Sequence, residues 1–303
     1  MTTRTESSEL KAFLRAERER VEKALQGALA TLLPRIPPAF RGAVRHGVTS
    51  GGKRLRPILC VAAYRAAGGL HDGIYGLAVS LELIHAYSLM HDDLPCMDDA
   101  DLRRGEPTTH TVYGGEATTV AGALLIPGAA FQVLESARAM GLPESEGRRL
   151  VSELTRAAGG GGMVGGQFLD LLGEERDLSA SELTDLHRRK TGAILRASLR
   201  MGGIAAGASP EALEGLDRYG DAVGLAFQIA DDLLDATASA QTLGKRPSDA
   251  ELGKSTYVSL FGVEEAARKA GALVAEAEEA LKVGGLASPE LQALARYIVE
   301  RKR

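Results

Sequence analysis

Apolar residues recur at three- and four-residue spacing along most of this chain, and strand-like alternation is hard to find. LKAFLRAERERVEKALQGALATLL (10–33), YGLAVSLELIHAYSLMHD (75–92) and LEGLDRYGDAVGLAFQIADDLLD (213–235) carry the pattern most plainly. Gly and Pro clusters punctuate it: PRIPP at 34–38, TSGG at 49–52, GLPES at 141–145, GASP at 207–210 and GGLASPE at 284–290. The spacing predicts roughly a dozen helices with short connections and no linker. The expected architecture is all-α: a single-domain helical bundle over 1–303, with residues 1–8 a flexible tail. A Gly-dense stretch, AAGGGGMVGG (157–166), is too short and apolar for a linker and reads as a kink or a close helix contact.

A length of 303 residues allows a large core. The net charge of −4 gives no global electrostatic reason to expect nucleic acid or an anionic membrane as partner. Cys60 and Cys96 make no disulfide framework, which fits a reducing cytoplasm. The polar, charged N-terminus MTTRTESSELKAFLRAERER has the character of neither a signal peptide nor a membrane span. No apolar run is read as reaching the ~20 residues that cross a bilayer, so no membrane span is expected.

Two acidic clusters stand out. HDDLPCMDDADLRRG (91–105) closes one apolar helical pattern, and QIADDLLDATAS (228–239) closes another. Pro95 discourages continuation of the first helix, which puts Asp92 and Asp93 at or near its C-terminus. Negative charge there opposes the helix dipole and costs stability. Asp231 and Asp235 are four apart and share a helix face. Magnesium suits such a layout, because it takes oxygen ligands and is usually held by one or two carboxylates plus substrate phosphates. Zinc does not, since no His/Cys set has ligand spacing. Cys96 is a single soft thiol among hard oxygens and reads as a spacer.

The third element is TSGGKRLRPIL (49–59), where Lys53, Arg54 and Arg56 follow Gly51 and Gly52. The glycines allow close backbone approach to a phosphate, and arginine offers it bidentate contacts. Alone the signal is weak, since a charged loop of this kind is more often solvated surface. Further along, Gln167 and Asp170 lie three apart in GGQFLDL, Gln167 reading as a cap or a bridge between helices. Lys190 and Thr191 sit in HRRKTGAIL, and Lys245 and Lys254 lie in TLGKRPSDAELGKSTY (242–257), a stretch with the composition of a lid.

In this order the pieces resemble the trans-prenyl (isoprenyl) diphosphate synthases, and the bacterial farnesyl diphosphate synthase type among them. GGKRLRP (51–57), IHAYSLMHDDLPCMDDADLRRG (84–105), GMVGGQFLDL (162–171), HRRKTGAILRASLRMG (187–202), FQIADDLLD (227–235) and LGKSTY (252–257) carry the resemblance. It implies the isoprenoid synthase fold with a central substrate cavity, and a homodimer. It implies Asp92, Asp98 and Asp231 as ligands of three Mg²⁺ ions on an allylic diphosphate, with Mn²⁺ as a substitute and with Asp93, Asp99, Asp232 and Asp235 supporting. Arg103, Lys190 and Lys254 would contact the same diphosphate. Gly52, Lys53, Arg56, His85, Arg104 and Lys245 would bind substrate, most of them the diphosphate of isopentenyl diphosphate. Thr191 and Gln228 would line the reacting centre. The implied reaction condenses isopentenyl diphosphate with dimethylallyl and geranyl diphosphates by ionisation, condensation and elimination.

Tyr87 and Ser88 lie five and four residues before Asp92, roughly 6–7.5 Å along a helix. They are read as the floor against which the product grows. The aromatic at that position and the longer first motif resemble the C15-forming type, with a C20 product the alternative. The chain departs from the family pattern at Leu124, where an aspartate is usual, at Pro127, which is expected to interrupt its helix, and at Ala100 and Val258. Rival readings are an HD-type phosphohydrolase, which leaves DDLLD and GGKRLRP unexplained, and a terpene cyclase. The latter leans on aromatic faces, whereas aromatics here make up 4% and Trp is absent. A catalytically silent partner subunit would be expected to lose motif aspartates, and none of the metal set is missing.

Overall fold

A computed structural model describes residues 2–173, 176–237 and 255–300. Helices dominate, and the Gly and Pro clusters fall between them as expected. In order they are α1 (Thr2–Leu32), α2 (Pro38–Thr49), α3 (Leu55–Ala66), α4 (Ile74–Asp92), α5 (Thr109–Tyr113), α6 (Gly115–Ala139) and α7 (Glu144–Ala158). There follow α8 (Met163–Gly173), α9 (Ala180–His187), a π turn (Arg188–Gly192), α10 (Ala193–Ala205), α11 (Pro210–Thr237), α12 (Tyr257–Phe261), α13 (Val263–Val283) and α14 (Pro289–Glu300). α1 runs from Thr2 to Leu32, and Pro34 follows just past its end.

The chain divides into two compact units. The first comprises residues 3–61 and 69–154, and the second residues 62–68 with those from Thr155 onward. In the first unit α4 packs along α6, and α2 packs on both. Leu77, Ala78, Leu81 and Ile84 of α4 are buried, as are Leu125, Ala129 and Val133 of α6. Each large apolar side chain so buried contributes about 1.5–3 kcal/mol against exposure. In the second unit α11 is central, packing on α10, α13 and α14. The buried Tyr219 of α11 donates its hydroxyl to the Leu291 carbonyl at 2.7 Å, which ties α14 to it.

The all-α expectation holds, with one small addition and two other corrections. A two-stranded antiparallel hairpin, β1 (Leu102–Arg103) and β2 (Glu106–Pro107), lies between α4 and α5. Arg104 and Gly105 form its two-residue turn with φ of 56° and 83°, the double left-handed geometry of tight hairpins. Strands this short leave no alternation to read. Pro127 does not interrupt its helix: α6 runs unbroken from Gly115 to Ala139. Its packing on α4 and α2 outweighs the lost hydrogen bond and ring clash. Finally, α6 is long and apolar enough to cross a membrane by length and composition. Its small Ala and Gly residues hide this in a scan for bulky apolar runs. One face, with Thr118, Ala121, Gly122, Leu125, Ala129 and Val133, is buried, while Val120, Ile126, Phe131 and Leu134 are exposed.

Candidate active site

In the first unit the acidic loop grows from the end of α4. Asp92 is its last residue and Asp93 its cap, as Pro95 required. The loop then doubles back: the Asp98 N–H donates to the Asp92 carbonyl at 2.9 Å, and the Ala100 N–H to that of Asp93 at 3.2 Å. This return satisfies carbonyls the helix end leaves open and sets Asp98 beside Asp92. Asp99 adopts φ 45° to make the reversal. Asp92 is half-buried, and Asp98 and Asp99 are exposed.

Asp93 is the buried member. It accepts from Arg103 Nε at 2.7 and 2.9 Å and pairs with Nη2 at 2.5 Å. Burial alone would lower the Arg103 guanidinium; the hydrogen bonds and charge of Asp93, with Asp92 and Asp98 behind it, raise it instead.

The hairpin presents Arg104 to the basic loop, where Nη1 donates to the Gly51 carbonyl at 2.5 Å. Gly52, at φ 135°, lies directly under that guanidinium; a Cβ there would meet Arg104 Nη1 at 2.6 Å. Only glycine fits. Burial is the main influence lowering Arg104, with Arg103 and Arg54 adding to it against Glu82.

The three loop cations divide. Arg54, left-handed at φ 53°, turns inward and donates to Glu82 at 2.6 Å and to Glu22 at 2.8 Å. It pins the loop to α4 and α1 and offers nothing to a phosphate. Lys53 is exposed and Arg56 half-buried. On α4, His85 is held neutral first by burial and then by the charges of Arg56, Arg104, Arg103 and Arg54. The positive charge of these arginines acts on His85, and such a concentration of charge favours an anion.

Tyr87 stacks edge-on against His91, with ring centroids 4.7 Å apart, and burial followed by the Asp92 carboxylate pushes its phenol up. Ser88 donates to the His85 carbonyl at 2.9 Å.

In the second unit Lys190 and Thr191 lie in the π turn, a widened turn often found at functional positions. Gly166 of α8 lets backbones meet there, since a Cβ on it would stand 2.6 Å from Lys190 Cα. This is the close contact expected of the Gly-dense stretch. Lys190 pairs with Asp170 of α8, and Thr191 is buried.

Gln228, Asp231, Asp232 and Asp235 project from α11, which runs past them to Thr237. Asp231 and Asp235 are half-buried; Asp232 is buried and accepts the Tyr257 N–H at 2.7 Å. The buried Tyr257 stacks near His187, its hydroxyl meets Thr184, and Ser255 accepts the Leu178 N–H at 3.0 Å. Asp232 thus helps clamp the chain just after LGK. Lys245 and Lys254 lie outside the described residues.

Among the described residues no three His, Cys, Asp or Glu side chains gather closely enough to hold a metal alone. The half-buried Asp92 and exposed Asp98, oxygen donors brought together by the loop, instead fit magnesium completed by phosphate oxygens. The chain matches the polyprenyl synthetase family over residues 37–283. It belongs to that family.

Farnesyl diphosphate synthase of Escherichia coli (strain K12) is 43% identical over 265 residues, covering 86% of this chain and 88% of that one. A chloroplastic geranylgeranyl pyrophosphate synthase of Catharanthus roseus is 38% identical over 298 residues, covering 97% and 82%. The crystal structure of a geranyltransferase from Legionella pneumophila superposes with a TM-score of 0.84 at 30% identity, covering 97% and 98%. This polyprenyl synthetase is a short-chain trans-prenyltransferase with the all-α isoprenoid synthase fold.

Proposed function

We propose that the enzyme makes farnesyl diphosphate, joining isopentenyl diphosphate head-to-tail to dimethylallyl and then geranyl diphosphate. The observation that carries this reading is the hairpin that seats Arg104 on the Gly51–Gly52 loop next to Lys53 and Arg56, while Arg103 pairs with Asp93 in the Asp92–Asp98 loop. Lys53, Arg56, His85 and Arg104, over Gly52, hold the isopentenyl diphosphate by its charge. Arg103, Lys190 and Lys254 hold the allylic diphosphate. Asp92, Asp98 and Asp231 would carry the magnesium ions, three by the family pattern, which supply Lewis-acid stabilisation of the leaving diphosphate.

The allylic C–O bond breaks with its electron pair going to the diphosphate. The isopentenyl double bond attacks the resulting cation, and the diphosphate takes the proton then lost. Thr191 and Gln228 line this centre. Two cysteines outside any disulfide, Cys60 buried and Cys96 exposed, support a cytoplasmic location. A homodimer belongs to the same reading, and exposed Val120, Ile126, Phe131 and Leu134 give α6 an apolar face for it.

The test is mass analysis of products from purified protein with Mg²⁺ and both C5 substrates. Formation of C15 diphosphate, abolished by chelator, is expected; absence of any prenyl diphosphate would refute the reading. A C20 product is the second reading, favoured by the geranylgeranyl pyrophosphate synthase among the relatives. Tyr87 decides between them. With the aromatic ring as floor, Tyr87→Ala lengthens the product beyond C15, and an unchanged product profile removes Tyr87 from that role.

A further inference from the structure

The basic loop follows a path that its own sequence does not favour. Gly51, Gly52 and Arg54 have φ of 78°, 135° and 53°, outside the region that L side chains prefer. Glycine takes such angles without strain, and an arginine keeps them only where its surroundings over-determine them. At Arg54 the grip is on the side chain. Nε donates to Glu22 of α1 at 2.8 Å, Nη1 to Glu82 of α4 at 2.6 Å and Nη2 to the Val48 carbonyl of α2 at 3.4 Å. Every nitrogen of the fork is engaged, and three helices meet through it.

Glu82 is the unexpected member of this arrangement. It is the one acidic residue in Ile74–Met90, and it is buried like its neighbours Leu81, Leu83 and Ile84. A buried ion pair returns little net stability over an apolar pair of the same size; what it can supply is a fixed geometry. Here that geometry belongs to one substrate. Lys53 precedes Arg54 and Arg56 follows it by two residues, so both ride on backbone that Arg54 anchors. His85 lies one turn after Glu82 on the same face of α4. Arg104 fastens the loop from the hairpin side through the Gly51 carbonyl, and the charge of Glu82 acts on it too, against the lowering by burial. The cations assigned to the allylic diphosphate have other partners: Arg103 pairs with Asp93, and Lys190 with Asp170.

We infer that Glu82 is a positioning residue for isopentenyl diphosphate, setting the path of the Gly51–Arg56 loop through Arg54 and so the placing of Lys53 and Arg56. This rests on the prenyl condensation proposed above. A loop already held in place binds a diphosphate without first losing its own freedom. Loosening it weakens ground state and transition state alike, which raises KM and leaves kcat as it was.

Steady-state kinetics of Glu82→Gln, with isopentenyl and geranyl diphosphate varied separately, test this alongside urea unfolding. The substitution keeps size and an acceptor and removes the charge. The expected result is a rise in KM for isopentenyl diphosphate of about tenfold or more, with kcat and the KM for geranyl diphosphate unchanged. Any other kinetic pattern in a folded variant overturns the inference: an unchanged KM makes the pair a packing feature, and an equal rise for both substrates means general loosening. If Glu82→Gln does not fold, Glu22→Gln decides, since the Glu22 side chain is 32% exposed and its charge is removed at less cost to the core. A raised KM for isopentenyl diphosphate alone then supports the positioning, and any other outcome overturns it. Wild-type protein that forms no prenyl diphosphate would instead refute the condensation itself, so the two failures are distinguishable.

Discussion

The two acidic motifs use the same letters for different structural work. In each adjacent pair the first aspartate, Asp92 or Asp231, is half-buried, and the second, Asp93 or Asp232, is buried. The buried partners then diverge. Asp93 holds a side-chain cation, Arg103, across a loop that reverses direction. Asp232 holds a backbone N–H, that of Tyr257, and so fixes a chain segment. A doubled aspartate thus supplies one half-buried carboxylate, proposed above to face ligand, and one buried carboxylate that grips the protein. What the inward one grips decides how its loss is felt.

The largest expected effect comes from the outward pair. Asp92→Asn and Asp231→Asn keep size and remove charge, so kcat should fall by about a thousandfold, roughly 4 kcal/mol of barrier, with unfolding midpoints near wild type. Product assays at saturating Mg²⁺ measure this; a loss under tenfold in either variant would end its assignment as a metal ligand.

The inward pair should separate from each other in stability. Asp93→Asn strips the counter-charge from a largely buried Arg103, and breaking such a pair costs about 3 kcal/mol. Asp232→Asn leaves a carbonyl oxygen able to accept from Tyr257 N–H, so a cost nearer 1 kcal/mol is expected. Urea unfolding of the two variants compares them, and equal losses would show that Asp232 is used chiefly as a charge.

Much of this plan could be read from local signals. Helical spacing located α1, α4 and α11, the Gly and Pro breaks marked connections between helices, and Pro95 placed Asp92 at the end of α4, because these rules act within a few residues. What escaped depends on partners far along the chain. Arg54 stood in the basic loop between Lys53 and Arg56 with no role of its own, and Glu22 and Glu82, which turn it inward, are 32 and 28 residues away. Nothing near Asp232 in sequence announced Tyr257, 25 residues on. Pro127 misled in the opposite sense: the local rule predicted a break, and packing of a long helix on α4 overrode it. Gln167 was visible as a polar residue beside Asp170, but its lack of a hydrogen-bond partner among the described residues emerges only once the surrounding side chains have found theirs.

A last difference between the pairs is pH-dependent and smaller. Asp93 faces an arginine charged at every accessible pH, whereas His187, with Nε2 3.9 Å from Asp232, is neutral near pH 7. Burial is the main cause, Lys190 adds to it, and Asp170 opposes it; together they depress the imidazole to about 4. The sign follows from which state takes the proton first. An unfolded histidine protonates near 6.5 and the folded one only near 4, so this contribution is fully present above 6.5 and is lost as pH falls between the two values. By pH 5.5 the loss should be about 1.4 kcal/mol. Metal-free urea unfolding at pH 7.5 and 5.5 should therefore show wild type weakening by that much more than His187→Gln. Parallel losses in the two proteins would mean that His187 takes up its proton in the folded state as readily as in the unfolded one, and that Asp232 has a titrating cation beside it after all.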